Sequence, residues 1–374
     1  MMEFKPKRVL LLYISQVSGH RHGAVAIQKS LKALNPDCEI RSLNGFGYTY
    51  PLMEKIVNTA YMGVIKRAPR IWEYLYDNPK VIKASRKIKE SIHKSSHKKF
   101  KPLFDEFKPD VVVCTQAFPC GMVADYKSSN NLPVKVIGVL TDFAPHLYWL
   151  HEGVDYYVVP SESAQKRYVN EGIKENQIKV FGIPIRKKFA ERLDRNSIAQ
   201  KLHLDIDVPT ILVMGGGQGL GPMKEAVKSL VKLSRPLQII VIAGTNVKLV
   251  RWIKKIQHKS LKKIIVYEYS NNVDELMEFS TVIISKPGGM TTSECLAKGL
   301  PMVIVDPIPG QEERNADFLV KNGIAIRSDD KRKIGETVQK LLNDPEKLQS
   351  MREAAFKYGK PHAAEDIARL VLSC

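Results

Sequence analysis

Three short stretches carry residue types that can do chemistry. In "YISQVSGHRHGAVAIQKSL" an apolar run gives way to a glycine-containing turn and then to helical spacing, which puts Gly19 and His20 just past the end of a strand. An imidazole there can take a proton from a hydroxyl near neutral pH, since its ordinary pKa is about 6.5. His22 is expected to point elsewhere, and a lone Gly-His pair reads by itself as a capping or exposed histidine. In "ILVMGGGQGLGPMKEAV" the glycines Gly215, Gly216 and Gly217, followed by Gln218, sit between a strand and a helix, where bare backbone can offer N–H groups to a phosphate. No G-K-[ST] follows, so this is not a Walker A loop, and the spacing does not make a dinucleotide fingerprint.

The third stretch is "TVIISKPGGMTTSECLAKG" with the "DPIPGQEERN" that follows it. Gly288 and Gly289 turn the chain sharply, and Thr291, Thr292 and the first-turn N–H groups of the next helix make a place for a diphosphate. Glu294, one turn on, suits the diol of a ribose, or else is a capping-box acid that ties down the helix start. The two prolines hold a loop presenting Gln311, Glu312 and Asn315, groups suited to sugar hydroxyls. Nucleotide on one side and sugar on the other describe a nucleotide-sugar.

These turns need strands to present them. "KRVLLLYIS", "DVVVCTQA", "VKVIGVLTD" and "VDYYVVPSE" read as strands before residue 186, and "PTILVMGGG", "LQIIVIAG", "KKIIVYEY", "TVIISKPGG" and "PMVIVDP" as strands after it, with helical spacing between them. Such alternation predicts an α/β protein of parallel sheets covered on both faces. The polar stretch from "GIPIRKKF" to "DIDVPT" breaks the rhythm and marks a domain boundary near residue 187.

With 374 residues, 44% of them hydrophobic, the chain can bury large cores. Its five cysteines show no C-x-x-C spacing and no even framework, so neither a disulfide scaffold nor a zinc ribbon is indicated and a reducing compartment fits. No apolar run reaches the ~18 residues of a membrane span, and the opening apolar run reads as a buried first strand. A formal charge of +19 asks for an acidic partner. In "KVIKASRKIKESIHKSSHKKFK" nine basic residues, among them Lys94, Lys98, Lys99 and Lys101, are offset by Glu90 alone, beside an upstream stretch containing Trp72 and Tyr76. Aromatic groups beside a cationic face are what an interfacial membrane segment uses. The stretch reads equally as core-packed helices with an exposed lysine face. No nucleic-acid motif is present.

"KPGGMTTSECLAKGLPMVIVDPIPGQEERNADFL", "TDFAPHLYWLHEGVDYYVVPSE", "FGIPIRKKF" and "SGHRHGAVAIQKSL" together resemble the monogalactosyldiacylglycerol synthase and processive diacylglycerol glucosyltransferase group of glycosyltransferase family 28, in order and over nearly the whole chain. The resemblance implies a GT-B fold of two Rossmann-like domains facing a cleft: residues 1–186 for acceptor and membrane, 187–355 for a UDP-sugar, and a last helix within 356–374 crossing back. It implies an inverting, metal-independent transfer of a hexose, glucose or galactose, from the UDP-sugar to a hydroxyl of diacylglycerol or of a glycolipid, by a cytoplasmic protein peripheral on the anionic inner face of the cell membrane. Re-use of the product as acceptor stays open.

Carried over by position, His20 resembles the general base, Glu294 the ribose acid, and Gln311 with Glu312 the pair that reads the sugar. Gly215 to Gln218 and Gly288 to Thr292 flank the diphosphate, and the backbone around Tyr269 and Ser270 receives the uracil. Arg186 matches a basic position of the related peptidoglycan N-acetylglucosaminyltransferase, which makes it a candidate phosphate contact here, and reads equally as a surface arginine at a hinge. Asp142 and His146 orient the acceptor or the base. One departure is Gly23-Ala24, where the family commonly has two alanines. The D-x-D letters at Asp205 to Asp207 lie ahead of a strand and read as a chance match, so no metal and no further cofactor is expected. Two alternatives remain: N-acetylglucosaminyl transfer to a polyprenyl-diphosphate lipid, and a non-catalytic nucleotide-sugar or lipid-surface binding protein, against which His20 and the "PGQEERN" loop both speak.

Overall fold

A computed structural model describes residues 5–15, 18–50 and 97–374. These group into two compact units. One runs to Lys187 and takes in Pro309–Gln311 and His362–Cys374, and the other comprises Lys188–Ile308 and Glu312–Pro361.

The first unit is a parallel sheet in the order β2-β1-β3-β4-β5-β6, built from β1 (Arg8–Tyr13), β2 (Glu39–Asn44), β3 (Val111–Cys114), β4 (Lys135–Val139), β5 (Tyr156–Val158) and β6 (Ile178–Lys179). The central runs are continuously apolar because both faces are covered: every residue of β3 is buried. The chain steps from β1 outward to β2 and then returns to β3 on the other side of β1, so the sheet's switch point lies between the carboxyl ends of β1 and β3. Helix α1 (Gly19–Leu34) leaves that point, and α2 (Ala117–Ser129) follows β3.

The second unit repeats the plan in the order β12-β11-β10-β7-β8-β9, with β7 (Thr210–Met214), β8 (Gln238–Ile242), β9 (Ile264–Tyr267), β10 (Val282–Ser285), β11 (Met302–Ile304) and β12 (Ala325–Arg327). Here the switch point falls between β7 and β10. Helices α3 (Met223–Val231) and α4 (Val247–Gln257) follow β7 and β8, α5 (Gly289–Lys298) follows β10, and α6 (Gln311–Lys321) follows β11.

The last helix, α7 (Ala363–Ser373), buries Ile367, Ala368, Val371 and Leu372 in the same core as Val9, Leu11, Ile27 and Val113 of the first unit. The segment expected over 356–374 therefore divides: Phe356 to Tyr358 still belong to the helix Pro345–Tyr358, which ends at its C-cap Gly359, and α7 starts only after Pro361. Three strands escaped the sequence reading, β2, β6 and β12, and all three are sheet edges. Among the described residues no helix is long and apolar enough to cross a membrane.

Candidate active site

Ser18 caps α1, its hydroxyl accepting from the Arg21 N–H, and this fixes the start of the helix so that His20 falls in its first turn. The His20 Nδ1 lies 2.9 Å from the Thr115 carbonyl oxygen and 2.8 Å from the Thr141 hydroxyl. A carbonyl only accepts, so Nδ1 carries the proton and Nε2 is left with its lone pair. Thr115 completes the clamp by donating its hydroxyl to the His20 carbonyl at 2.9 Å. Thr115 directly follows β3 and Thr141 follows β4, so the histidine stands in the switch-point crevice of the first sheet. Burial pushes its pKa below the ordinary 6.5, while the nearby Asp142 carboxylate and the Thr115 carbonyl pull it back up. The imidazole is thus neutral at physiological pH and poised to accept a proton.

Asp142 is accordingly brought together with His20. His146 is not an open group: it is buried, its Nδ1 accepts the Tyr148 N–H at 3.0 Å, and its carbonyl accepts from the Tyr168 hydroxyl, so it caps and stacks the turn at Leu147–Trp149. Arg186 belongs to the first unit, close enough to His22 for its charge, after burial, to help hold that imidazole's pKa down. Gly23 packs α1 against the same segment, its missing Cβ position lying 3.3 Å from Pro184.

In the second unit the glycine loop and the Pro-Gly-Gly turn meet at the other switch point. Gly216, Gly217 and Gln218 are exposed at the end of β7. Behind them the loop is pinned by Leu220 N–H donating to Gly215 O, Gly219 N–H to Gly216 O, and Thr245 N–H to Gly217 O. No side chain caps α5, whose N-cap is Gly288, so its first-turn N–H groups are available to an anion. Thr291 is half-buried, whereas Thr292 is fully buried with its hydroxyl oxygen unpartnered. With Gly288 as N-cap, Thr291 holds the third helical position, so the capping-box reading of Glu294 fails: that carboxyl sits a further turn along, half-buried.

Lys286, which the sequence reading passed over, follows β10 at this point. Its stem runs 3.6 Å from where a Gly221 Cβ would stand, and its ammonium lies 3.5 Å from Glu312 Oε2 and 4.0 Å from Asp306. An ionisable residue directly after a buried strand at a switch point was the signal for it. Glu312 also accepts the Ile308 N–H at 2.8 Å and so closes the loop after β11. Asn315 is a correction: it is fully buried and its amide donates to Pro287 O at 2.9 Å, bracing the turn instead of facing a sugar. Gln311 opens α6, half-buried. Tyr269 is 62% exposed beyond β9, while Ser270 is buried and bonded to Asn272, which winds the loop back on itself.

Asp205 spends its carboxylate on the Asp207 N–H, at the end of the second sheet opposite the glycine loop. Among the described residues no cluster of three His, Cys, Asp or Glu is placed to hold a metal. Trp72, Tyr76 and Lys94 lie outside the described residues. Residues 97–107 are helical: Phe100, Leu103, Phe104 and Phe107 are buried, Lys98 and Lys99 are exposed, and Lys101 pairs with Asp105 at 2.7 Å.

Two parallel sheets, one presenting a neutral histidine at its switch point and the other a glycine loop beside an uncapped helix start, are the architecture of a sugar-nucleotide-dependent transferase of the GT-B class. The fold agrees with solved structures: MurG of Acinetobacter baumannii superposes with a TM-score of 0.67 at 16% identity, covering 99% of this chain and 100% of that one. A UDP-GlcNAc 2-epimerase from Neisseria meningitidis, solved with UDP-GlcNAc, gives 0.61 at 15% identity, covering 98% and 100%. Residues 20–185 match the monogalactosyldiacylglycerol synthase family and residues 210–367 the glycosyltransferase family 28 C-terminal domain. A processive diacylglycerol beta-glucosyltransferase of Bacillus mycoides is 30% identical over 370 residues, 99% of this chain and 94% of that protein, and one from Bacillus cereus is 30% identical over 371 residues, again 99% and 94%. The chain belongs to this diacylglycerol glycosyltransferase group of glycosyltransferase family 28.

Proposed function

We propose that the protein transfers glucose from UDP-glucose to the free hydroxyl of diacylglycerol, with inversion, and re-uses the β-glucosyl product as a further acceptor. The observation that carries the chemistry is the fixed tautomer of His20, whose Nδ1 is spent on Thr115 and whose Nε2 is open. In the step, Nε2 takes the hydroxyl proton as the acceptor oxygen bonds to the anomeric carbon. The bond from that carbon to the β-phosphate oxygen breaks on the opposite face, and its electron pair leaves with UDP. Asp142 and the Thr115 carbonyl stabilise the imidazolium that forms.

Glu294 takes the ribose diol, the first turn of α5 and the glycine loop take the diphosphate, and Gln311 with Glu312 reads the hexose. Charge on the leaving group is met by the helix N-terminus, backbone N–H groups and Lys286, each preorganised donor being worth ~3 kcal/mol of barrier. No divalent ion is assigned a role. The choice of glucose, and of repeated transfer, follows the names of the 30% identical relatives. A lipid acceptor supports a position at the inner membrane face, with the basic stretch of the first unit as the part that would meet anionic lipid.

Purified protein incubated with diacylglycerol and UDP-glucose should give mono- and then diglucosyldiacylglycerol by mass spectrometry, with little product from UDP-galactose, and activity should survive EDTA. Product only from UDP-N-acetylglucosamine and a polyprenyl-diphosphate lipid would replace this reading with the peptidoglycan one. Donor binding without turnover on any acceptor would leave a binding protein.

A further inference from the structure

The second unit has its own concentration of positive charge, away from the donor edge. Between residues 224 and 263 there are eleven lysines and arginines against the single acid Glu225, an excess that amounts to more than half of the chain's formal +19. Arg251, Lys255 and Lys259 recur at helical spacing along α4 and the turn beyond it, and all three are exposed, as is Lys254 beside them. Its opposite face buries Leu249, Val250 and Ile253.

Helix α3 adds Lys224 and Lys228, one turn apart, whose ammoniums lie 5.1 and 5.8 Å from the centre of the Trp252 ring on α4. The two helices thus present one surface with a half-buried tryptophan at its middle. Past the end of α4, Leu261 stands fully exposed between Ser260 and Lys262. Elsewhere in this unit several cations have acid partners: Lys298 with Glu278, Lys201 with Glu275, Arg327 with Glu313, Arg332 with Asp330. On α4 and the turn beyond it, among the described residues, no carboxylate pairs with Arg251, Lys254, Lys255 or Lys259. Like charges at this spacing repel and weaken the helix, so folding alone gives no reason to gather them.

We infer that the α3–α4 face of the second unit is a docking surface for anionic phospholipid, with the lysines and arginine meeting headgroup phosphates and Leu261 entering the apolar boundary. An extended plane of negative charge fits an extended cationic face. A single protruding leucine among lysines is the arrangement an interfacial segment uses, and the proline-free helix keeps the cations in register. This surface is separate in sequence and in unit from the basic stretch at residues 80–101. It rests on the proposed function only in that the enzyme's acceptor is a membrane lipid.

The test uses the full chain and vesicles of phosphatidylglycerol with phosphatidylcholine, against phosphatidylcholine alone. The variant Arg251→Gln, Lys254→Gln, Lys255→Gln, Lys259→Gln should bind the anionic vesicles roughly a thousandfold more weakly, at about the usual contribution per cation, and keep the UDP affinity of the parent with a melting temperature no lower. Leu261→Ser should remove most of the binding that survives about 0.5 M salt, where charge attraction is screened. Unchanged co-sedimentation of the folded fourfold variant would overturn the inference. So would an RNA of matched charge that binds more tightly than vesicles and loses affinity in that variant while vesicle binding stays. Transfer to diacylglycerol dispersed in detergent should be equal in parent and variant. If neither turns over, the transferase reading fails while sedimentation still decides the surface.

Discussion

The chemistry proposed for His20 depends on which ring nitrogen is spent, and the Thr115 carbonyl, which can only accept, decides it. His20→Ala should lower kcat by roughly 10²-fold or more with UDP affinity unchanged, since the loss is of a proton acceptor and not of donor contacts. Because burial holds the imidazole pKa below its ordinary 6.5, the acid limb of kcat/KM should fall below that pH, the rate dropping as the ring protonates. Asp142 raises that pKa, so Asp142→Asn should move the limb to still lower pH while lowering the plateau, because the imidazolium loses its counter-charge. A limb that moves upward would remove Asp142 from this role. On the donor side Glu294→Ala should weaken UDP binding by about 1.5–3 kcal/mol in calorimetry, the cost of two charge-assisted hydrogen bonds. A loss of melting temperature without loss of affinity would make it a structural acid. The G-H-x-x-G letters made His20 visible, but its partners stand 95 and 121 residues away, and no local spacing could have named Thr115 or Thr141. Asn315 misled for the opposite reason: a polar letter in a polar loop gives no sign that its amide is turned inward to Pro287.

Of the elements that hold these residues, the central buried strands were legible, as was the edge strand β9 through its unbroken apolar run IIVY, whereas the edges β2, β6 and β12 were not. Apart from Arg8, Thr210, Gln238 and Ser285 at their ends, β1, β3, β7, β8 and β10 are apolar runs because sheet neighbours and helices cover both faces. Edge strands lack that pressure: β2 reads "EIRSLN" with no residue fully buried, and β6 is only two residues long. The switch points themselves are set by strand order, which sequence periodicity does not encode, and they explain why one sheet gathers His20 and Thr115 while the other gathers the glycine loop and Lys286. The glycine loop makes this testable. Gly219 has φ +58°, and a Cβ there would stand 2.0 Å from the Ala243 carbonyl oxygen, so the loop end must move if a side chain is added. Gly219→Ala should therefore lower stability by about 1–3 kcal/mol and weaken UDP binding together, as the exposed N–H groups lose their aim. Gly216 has φ +65° but open space around it, so Gly216→Ala should strain the backbone locally without displacing β8. Equal effects at both positions would show that only the dihedral angle matters.

Over the whole molecule, the chain's last segment belongs to the core of its first unit. Ile367, Ala368, Val371 and Leu372 of α7 share one apolar cluster with β1, β3, β4 and α1, although the second unit intervenes in sequence. Each full burial of an Ile, Val or Leu side chain contributes about 1.5–3 kcal/mol, so three of them together approach the 5–15 kcal/mol that holds a typical domain folded. Ending the chain at Pro361 should therefore unfold the first unit. The second unit has a separate core, from Ile211 and Val213 to Val338 and Met351, which draws nothing from α7. It should stay folded and bind UDP with near-native affinity while glycosyl transfer is abolished. The single change Ile367→Ala, costing about 2–5 kcal/mol through the cavity it leaves, should lower the first unit's melting temperature without moving the second's. Hydrogen exchange followed by mass spectrometry reads the two units separately. Protection kept in β1 and β3 after truncation would mean that α7 covers a core already stable without it, and loss of protection in β7 and β10 as well would mean that the two units fold as one.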